Sequence, residues 1–194
     1  MLSTAEAERA KYKEIWDIPE YEHSSPGEAF VDVFGELASP EEDEGLIDLG
    51  CGSGRAGRAL AKKYRLNVTY LDFVQVDKQN KPFIKQVLWR PFPSRNPKWS
   101  YGFCCDVMEH IPVEYVMLTL DCIRASCRNV FFSISNIPDG FTGFILKKYN
   151  MRLGSPLHLT VMPYSWWLSK MREIGEVIDA RDLQNTSLFY VRMK

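Results

Sequence analysis

Long apolar runs are missing from the sequence. No window is long enough to span a bilayer, and Glu6, Glu8, Arg9, Lys11, Lys13 and Glu14 break up the opening residues, so no basic start precedes an apolar stretch. This reads as a cytoplasmic protein without a membrane partner. A dominant charge is also missing: 24 Lys and Arg stand against 25 Asp and Glu, for a formal net charge of −1, and no block of like charges offers an electrostatic footprint for nucleic acid. Cysteine is sparse and odd in number. Cys51, Cys104, Cys105, Cys122 and Cys127 fall in or beside expected core elements, where reduced thiols are the simplest reading. No Cys and His cluster has metal-ligand spacing, so no metal is expected, and no G-x-S-x-G serine elbow, internal repeat or low-complexity tract is present.

What the chain does have is enough apolar and aromatic material for one packed domain. Its 194 residues, 45% hydrophobic and 13% aromatic, suit a single unit in which residues 1–25 form an N-terminal helix and linker and 26–194 the core. The decisive stretch runs from Gly45 to Arg55. Leu46, Ile47 and Leu49 fill a short central strand, and Gly50, Gly52 and Gly54 let the backbone turn sharply beside a ligand. Ala56, Ala59, Leu60 and Tyr64 then recur at helical spacing, so a helix starts at the turn with its amides aimed at the bound group.

Two ligand classes use such a turn. Residues 52–57 satisfy G-x-G-x-x-G, with Asp72 at about the spacing of a ribose-binding acid, which fits a dinucleotide. Asp48 opposes that choice, because a carboxylate two residues before the first glycine repels a pyrophosphate. A ligand carrying positive charge is favoured instead, and S-adenosyl-L-methionine, with its ammonium, sulfonium, ribose and adenine, suits both acids.

The residues Asp48-Leu49-Gly50-Cys51-Gly52-Ser53-Gly54 resemble the first motif of the class I S-adenosylmethionine-dependent methyltransferases, and Tyr70-Leu71-Asp72-Phe73 resembles their second. Residues 105–112, Cys-Asp-Val-Met-Glu-His-Ile-Pro, are similar to the fourth. The order of His158-Leu159-Thr160, Trp166-Trp167 and Gly175 is similar to small bacterial and phage members. The resemblance spans about residues 26–194 and implies a Rossmann-like three-layer α/β/α sandwich with a mostly parallel seven-stranded sheet and an antiparallel C-terminal strand. It also implies S-adenosyl-L-methionine as cofactor and S-adenosyl-L-homocysteine as product. On this basis Asp48, Gly50, Cys51, Gly52, Gly54, Asp72, Phe73, Val74, Leu88, Trp89 and Asp106 are the expected cofactor residues. Asp72 offers two coplanar oxygens to the ribose hydroxyls, and Phe73 and Val74 are placed to cover the adenine. The adenine-binding acid common in the family is replaced by Leu88-Trp89-Arg90; backbone groups near Leu88 can substitute, and Trp89 is either an adenine platform or a core residue.

Helical spacing is expected over 4–16, stopped by Pro19, with Tyr12 and Trp16 either packed on the core or folded over the cofactor. Ser25, Pro26 and Glu28 read as a capping box opening a second helix. Strands are expected over 67–74, 83–89, 100–108 and 129–135, helices over 112–127 and 163–174, and a terminal hairpin over 177–183 and 188–193. The lysine-rich connection into the third strand is too short for a full helix. Residues 136–156, rich in Gly and Pro among aromatics, read as a loop-like substrate lid.

Methyl transfer from a sulfonium asks the protein mainly to align the acceptor and remove its proton. His110 and His158 are the candidate bases, Glu109 is the third choice and His23 a weaker one; structural roles for the histidines stay equally open. The most favoured acceptor is a small molecule or saccharide. The alternatives are a binding module without turnover, a nucleic-acid methyltransferase, which the lack of an N/D-P-P-Y/F motif disfavours, and a nicotinamide-dependent oxidoreductase, which Asp48 disfavours. Monomer and homodimer are left undecided.

Overall fold

A computed structural model describes residues 4–22, 25–93, 96–149, 153 and 155–194. Five parallel strands form most of the sheet: β1 (Gly45–Leu49), β2 (Asn67–Asp72), β3 (Phe83–Lys85), β4 (Trp99–Cys105) and β5 (Cys127–Ser135). They are followed by β6 (Gly175–Asp182) and β7 (Thr186–Met193), in the order β3-β2-β1-β4-β5-β7-β6, with β7 antiparallel to both its neighbours. This is the expected sheet, seven strands with one antiparallel member.

Alternating side chains along the strands feed two cores. Leu46, Tyr101, Phe103, Phe131, Leu188 and Tyr190 face one way, against α3 (Val31–Ala38) and α4 (Arg55–Tyr64). Phe34 of α3 is wholly buried there and sets its ring edge-on to Tyr101, Phe103 and Phe131, a geometry that suits the aromatic quadrupoles. Ile47, Leu49, Cys104, Phe132 and Phe189 face the other way, against α5 (Val116–Ser126) and α7 (Tyr164–Ile174). Burial on both faces is why the central strands read as nearly continuous apolar runs.

Several expectations need correction. Ser25 makes no side-chain cap, and residues Pro26–Phe30 form a 3-10 turn before α3 begins at Val31, so the capping box does not form. The third strand covers only Phe83–Lys85, because the residues that follow turn away towards Pro91 and Pro93. Pro19 does not merely stop α1 (Thr4–Trp16); it opens the short α2 (Pro19–Glu22). The lid-like segment is not all loop, since α6 (Phe141–Lys148) lies within it. Residues 150–152 and 154 of that segment lie outside the described residues. The abbreviated crossover is as expected, with no helix between β2 and β3. Among the described residues no helix is long and apolar enough to cross a membrane.

Gly57 sets how closely α4 approaches the sheet. A Cβ there would come within 2.6 Å of Asp48 Oδ2 on β1 and of the Tyr70 ring on β2. Alanine is a better helix former than glycine by about 1 kcal/mol, yet overpacking of this kind costs about 1–3 kcal/mol. Gly57→Ala is therefore expected to lower stability in urea denaturation; a variant as stable as the parent would show that helix and sheet are not in close contact here.

Candidate active site

The neighbours of β1 lie on either side of it, β2 one way and β4 the other, and the chain reverses its direction of sheet growth between them. In open α/β sheets such a switch point leaves a crevice beyond the carboxyl ends of the strands. A cleft of about 560 Å³ lies there, within the range of roughly 300–1,000 Å³ common for small-molecule sites. Its floor is the glycine turn after β1. Gly50 and Cys51 donate their backbone N–H groups to the Leu71 carbonyl at 2.8 and 3.1 Å. Gly50 and Gly52 adopt left-handed φ angles of +70° and +50°, and a Cβ on Gly52 would come within 2.7 Å of the Trp16 ring. The turn thus requires residues without side chains, both for its dihedrals and for the ring above it.

Two buried carboxylates flank the turn. Asp72 Oδ2 accepts the Gly52 N–H at 2.9 Å, and Oδ1 accepts the Val74 N–H at 3.0 Å. A carboxylate has about four lone-pair sites, so acceptor capacity remains for a pair of hydroxyls. Burial pushes the Asp72 carboxyl up to about 6, against the pull of those N–H donors. Burial also pushes Asp48 up to about 7, with the Gly57 N–H opposing it and the Asp72 charge adding to it. Asp48 Oδ2 has no hydrogen-bond partner. An orphaned, desolvated carboxylate oxygen at a cleft wall is poised for a cation.

At the far side, the backbone kinks after β4 at Asp106, whose φ is +58°. Glu109 follows, fully buried, with Oε1 accepting the Ser135 N–H at 2.6 Å and its backbone carbonyl accepting the N–H groups of Leu159 and Thr160. Burial, then the charge of Asp106, holds the Glu109 carboxyl well above the usual carboxylate range. His110 Nδ1 meets the Tyr12 hydroxyl at 2.6 Å and the Leu157 carbonyl at 3.1 Å, while His158 Nδ1 meets the Ile137 carbonyl at 2.7 Å. The two imidazoles stand edge to face with centroids 4.7 Å apart. Burial pushes His110 down to about 4, outweighing the attraction of Asp106, so its imidazole is neutral at physiological pH.

Of the residues expected at the cofactor site, nine line the cleft, and so do His110 and His158. Gly54, Val74 and Glu109 do not. Gly54 faces the Asn80 side chain, Val74 packs with the N-terminal helices, and Glu109 lies behind the cleft wall. Trp89 does two jobs, lining the cleft and stacking on Tyr115 at 5.0 Å. His23 lies outside the described residues. Tyr12 and Trp16 of α1 line the cleft as its roof, joined by Tyr21 of α2, which the sequence did not single out, and Tyr12 sets its ring edge-on to Phe73. The aromatic edge both packs in a cluster with Ile15, Ile18 and Leu157 and lines the cleft. Lys11 Nζ secures this roof by donating to the Pro156 carbonyl at 3.0 Å. The sequence shows no Cys and His cluster with metal-ligand spacing, and folding brings a ligand atom each from Asp106, Glu109, His110 and His158 within 4.8 Å of one another. Linear spacing could reveal only three of the four.

No protein-family model and no curated protein matches the sequence. Solved structures do match. The 1,6-didemethyltoxoflavin N1-methyltransferase of Burkholderia thailandensis, with 1,6-didemethyltoxoflavin and S-adenosylhomocysteine bound, superposes with a TM-score of 0.72 at 11% identity, over 100% of this chain and 92% of that one. The DhpI–SAH complex gives 0.68 at 15% identity, over 97% and 96%. The [4+2]-cyclase SpnF gives 0.66 at 10% identity, over 86% and 80%. At such identities the likeness is one of fold: this chain has the Rossmann-like α/β/α sandwich with a seven-stranded sheet that it shares with these methyltransferase structures and with the cyclase.

Proposed function

We propose that the chain binds S-adenosyl-L-methionine in this cleft and transfers its methyl group to a small-molecule acceptor. The observation that carries the reading is the pair of desolvated carboxylates, Asp48 and Asp72, on either side of the glycine turn. Both are suited to one elongated ligand with a cationic end and a ribose end. The structural neighbours crystallised with S-adenosylhomocysteine support the same choice.

When bound, the cofactor supplies an already activated methyl group. The protein's work is then to bind, to orient and to accept a proton. Asp72 receives the ribose hydroxyls on its remaining lone pairs, and Asp48 Oδ2 gains the charge it lacks. Phe73, Leu88 and Trp89 supply apolar walls for the adenine. Tyr12, Trp16 and Tyr21 roof the cleft and exclude water. The acceptor lies towards Asp106, His110 and His158, the polar corner at the end of β4.

Calorimetry tests the ligand directly: S-adenosyl-L-methionine and S-adenosyl-L-homocysteine are expected to bind, and NAD is not. Binding of NAD alone would sink the reading. Asp72→Ala is expected to weaken cofactor binding by about 1–3 kcal/mol, since it strands the ribose hydroxyls without their acceptor; unchanged affinity in a folded variant would remove the ribose role. Acidity supplies a further check. A cationic group pairs with ionised Asp48 and the ribose hydroxyls donate to ionised Asp72, and burial puts these carboxyls at about 7 and about 6. Affinity is therefore full only above about pH 8 and falls as the pH drops through these values, by up to about tenfold per pH unit for each group. A flat affinity profile between about pH 7.5 and pH 5.5 would show that neither acid contacts the ligand.

A further inference from the structure

The polar corner of the cleft has a composition that proton transfer alone does not explain. One ligand atom each from Asp106, Glu109, His110 and His158 lies within 4.8 Å of the others. Glu109 is fully buried, and with Oε1 taken by the Ser135 N–H its Oε2 has no hydrogen-bond partner. Asp106, half-buried, brings a second carboxyl against it, and a cation between the two would offset their mutual repulsion. His158 Nδ1 faces the Ile137 carbonyl, which only accepts, so Nδ1 carries the ring hydrogen and Nε2 keeps its lone pair, as in metal-binding imidazoles held by an outer partner. His110 Nδ1 lies between the Leu157 carbonyl at 3.1 Å and the Tyr12 hydroxyl at 2.6 Å, and these two partners hold its ring beside that of His158.

We infer that Asp106, Glu109, His110 and His158 form a binding site for one first-row divalent transition ion. Two imidazoles with two carboxylates select the class of Mn²⁺, Fe²⁺, Co²⁺ and Zn²⁺: the nitrogen donors are softer than Mg²⁺ or Ca²⁺ prefer, and the set contains no thiolate. Glu109 would hold the ion from its buried side, and Asp106, His110 and His158 would hold it from the cleft wall. An acceptor oxygen entering from the cleft would complete the coordination of such an ion, and an acceptor hydroxyl held there would be acidified as bound water is. Its proton passes to solvent, the oxygen forms its bond to the methyl carbon, and the carbon–sulfur bond breaks with its electron pair left on sulfur. The ion site stands on its own geometry. The hydroxyl acceptor rests on the methyl-transfer reading.

Titration of the chelator-treated chain with Co²⁺, followed by visible absorption and without any methyl donor, tests the site. One saturable equivalent with d–d bands of nitrogen and oxygen ligation is expected. His158→Ala, at the rim of the cleft, and Glu109→Gln, which keeps the buried shape, are each expected to weaken it about tenfold or more, with circular dichroism confirming that each variant is folded. Three results would overturn the inference: no saturable binding by the parent chain, undiminished binding by folded His158→Ala, or a sulfur-to-cobalt charge-transfer band, which would place the ion on Cys51 or Cys105 of the same cleft instead. Since the titration omits the methyl donor, Co²⁺ binding without donor affinity sinks the proposed activity alone, and the reverse result sinks the ion site alone.

Discussion

The cleft is built on the hydrogen bond from the Gly52 backbone to the Asp72 carboxylate. A buried carboxylate is tolerated only where donors compensate its lost hydration, and Asp72 obtains them from the turn beside it and from Val74 on its own strand end. The same contact holds the turn over β2, where Gly50 and Cys51 also donate to Leu71. The position of that turn sets where α4 starts, and Gly57 sets how far the helix can sink towards β1. Removing any of these contacts moves the wall that carries Asp48.

Glu109 plays the corresponding part on the opposite wall. Its carboxylate holds the end of β5 through Ser135, and its carbonyl holds the chain at Leu159 and Thr160. Thr160 answers by donating its hydroxyl to the Ile111 carbonyl at 2.7 Å. With residues 109–111 and 157–160 joined in this way, His110 and His158 have little choice but to face one another. The preorganised corner is thus a consequence of backbone hydrogen bonding, and little reorganisation is left for when a ligand arrives.

The roof is held differently. It rests on aromatic contacts of Tyr12 and Trp16 and on polar clasps: Lys11 to Pro156, and Glu20 to Lys148 and Tyr149. The Glu20 clasp is solvent-exposed and contributes little. The walls belong to the sheet and the roof to separately packed helices, so opening the roof breaks fewer buried contacts than distorting the walls. This division suits a site that must admit a ligand and then exclude water.

The central strand and the wall of the cleft around its glycine turn were legible in the residues themselves. Leu46, Ile47 and Leu49 before three spaced glycines, an acid at each strand end and apolar runs over β4 and β5 follow from local steric and hydrophobic rules, which act between near neighbours in the chain. Helix starts were less legible: Ser25 reads as a cap, but the packing of Phe34 against three sheet rings decides where α3 begins. The reach of Tyr12 to His110, across 98 positions, and the meeting of His158 with Asp106, Glu109 and His110 depend on how distant segments pack, and no spacing along the chain encodes them. Sequence alone determined the short apolar strand, the glycine turn and its two acids, because turn dihedrals and apolar patterning are local properties, while the seven-stranded sheet was what the family resemblance implied. Only the tertiary structure decided what roofs the cleft and which four donors share its polar corner, because those contacts arise where elements far apart in the chain are brought to the same edge of the sheet.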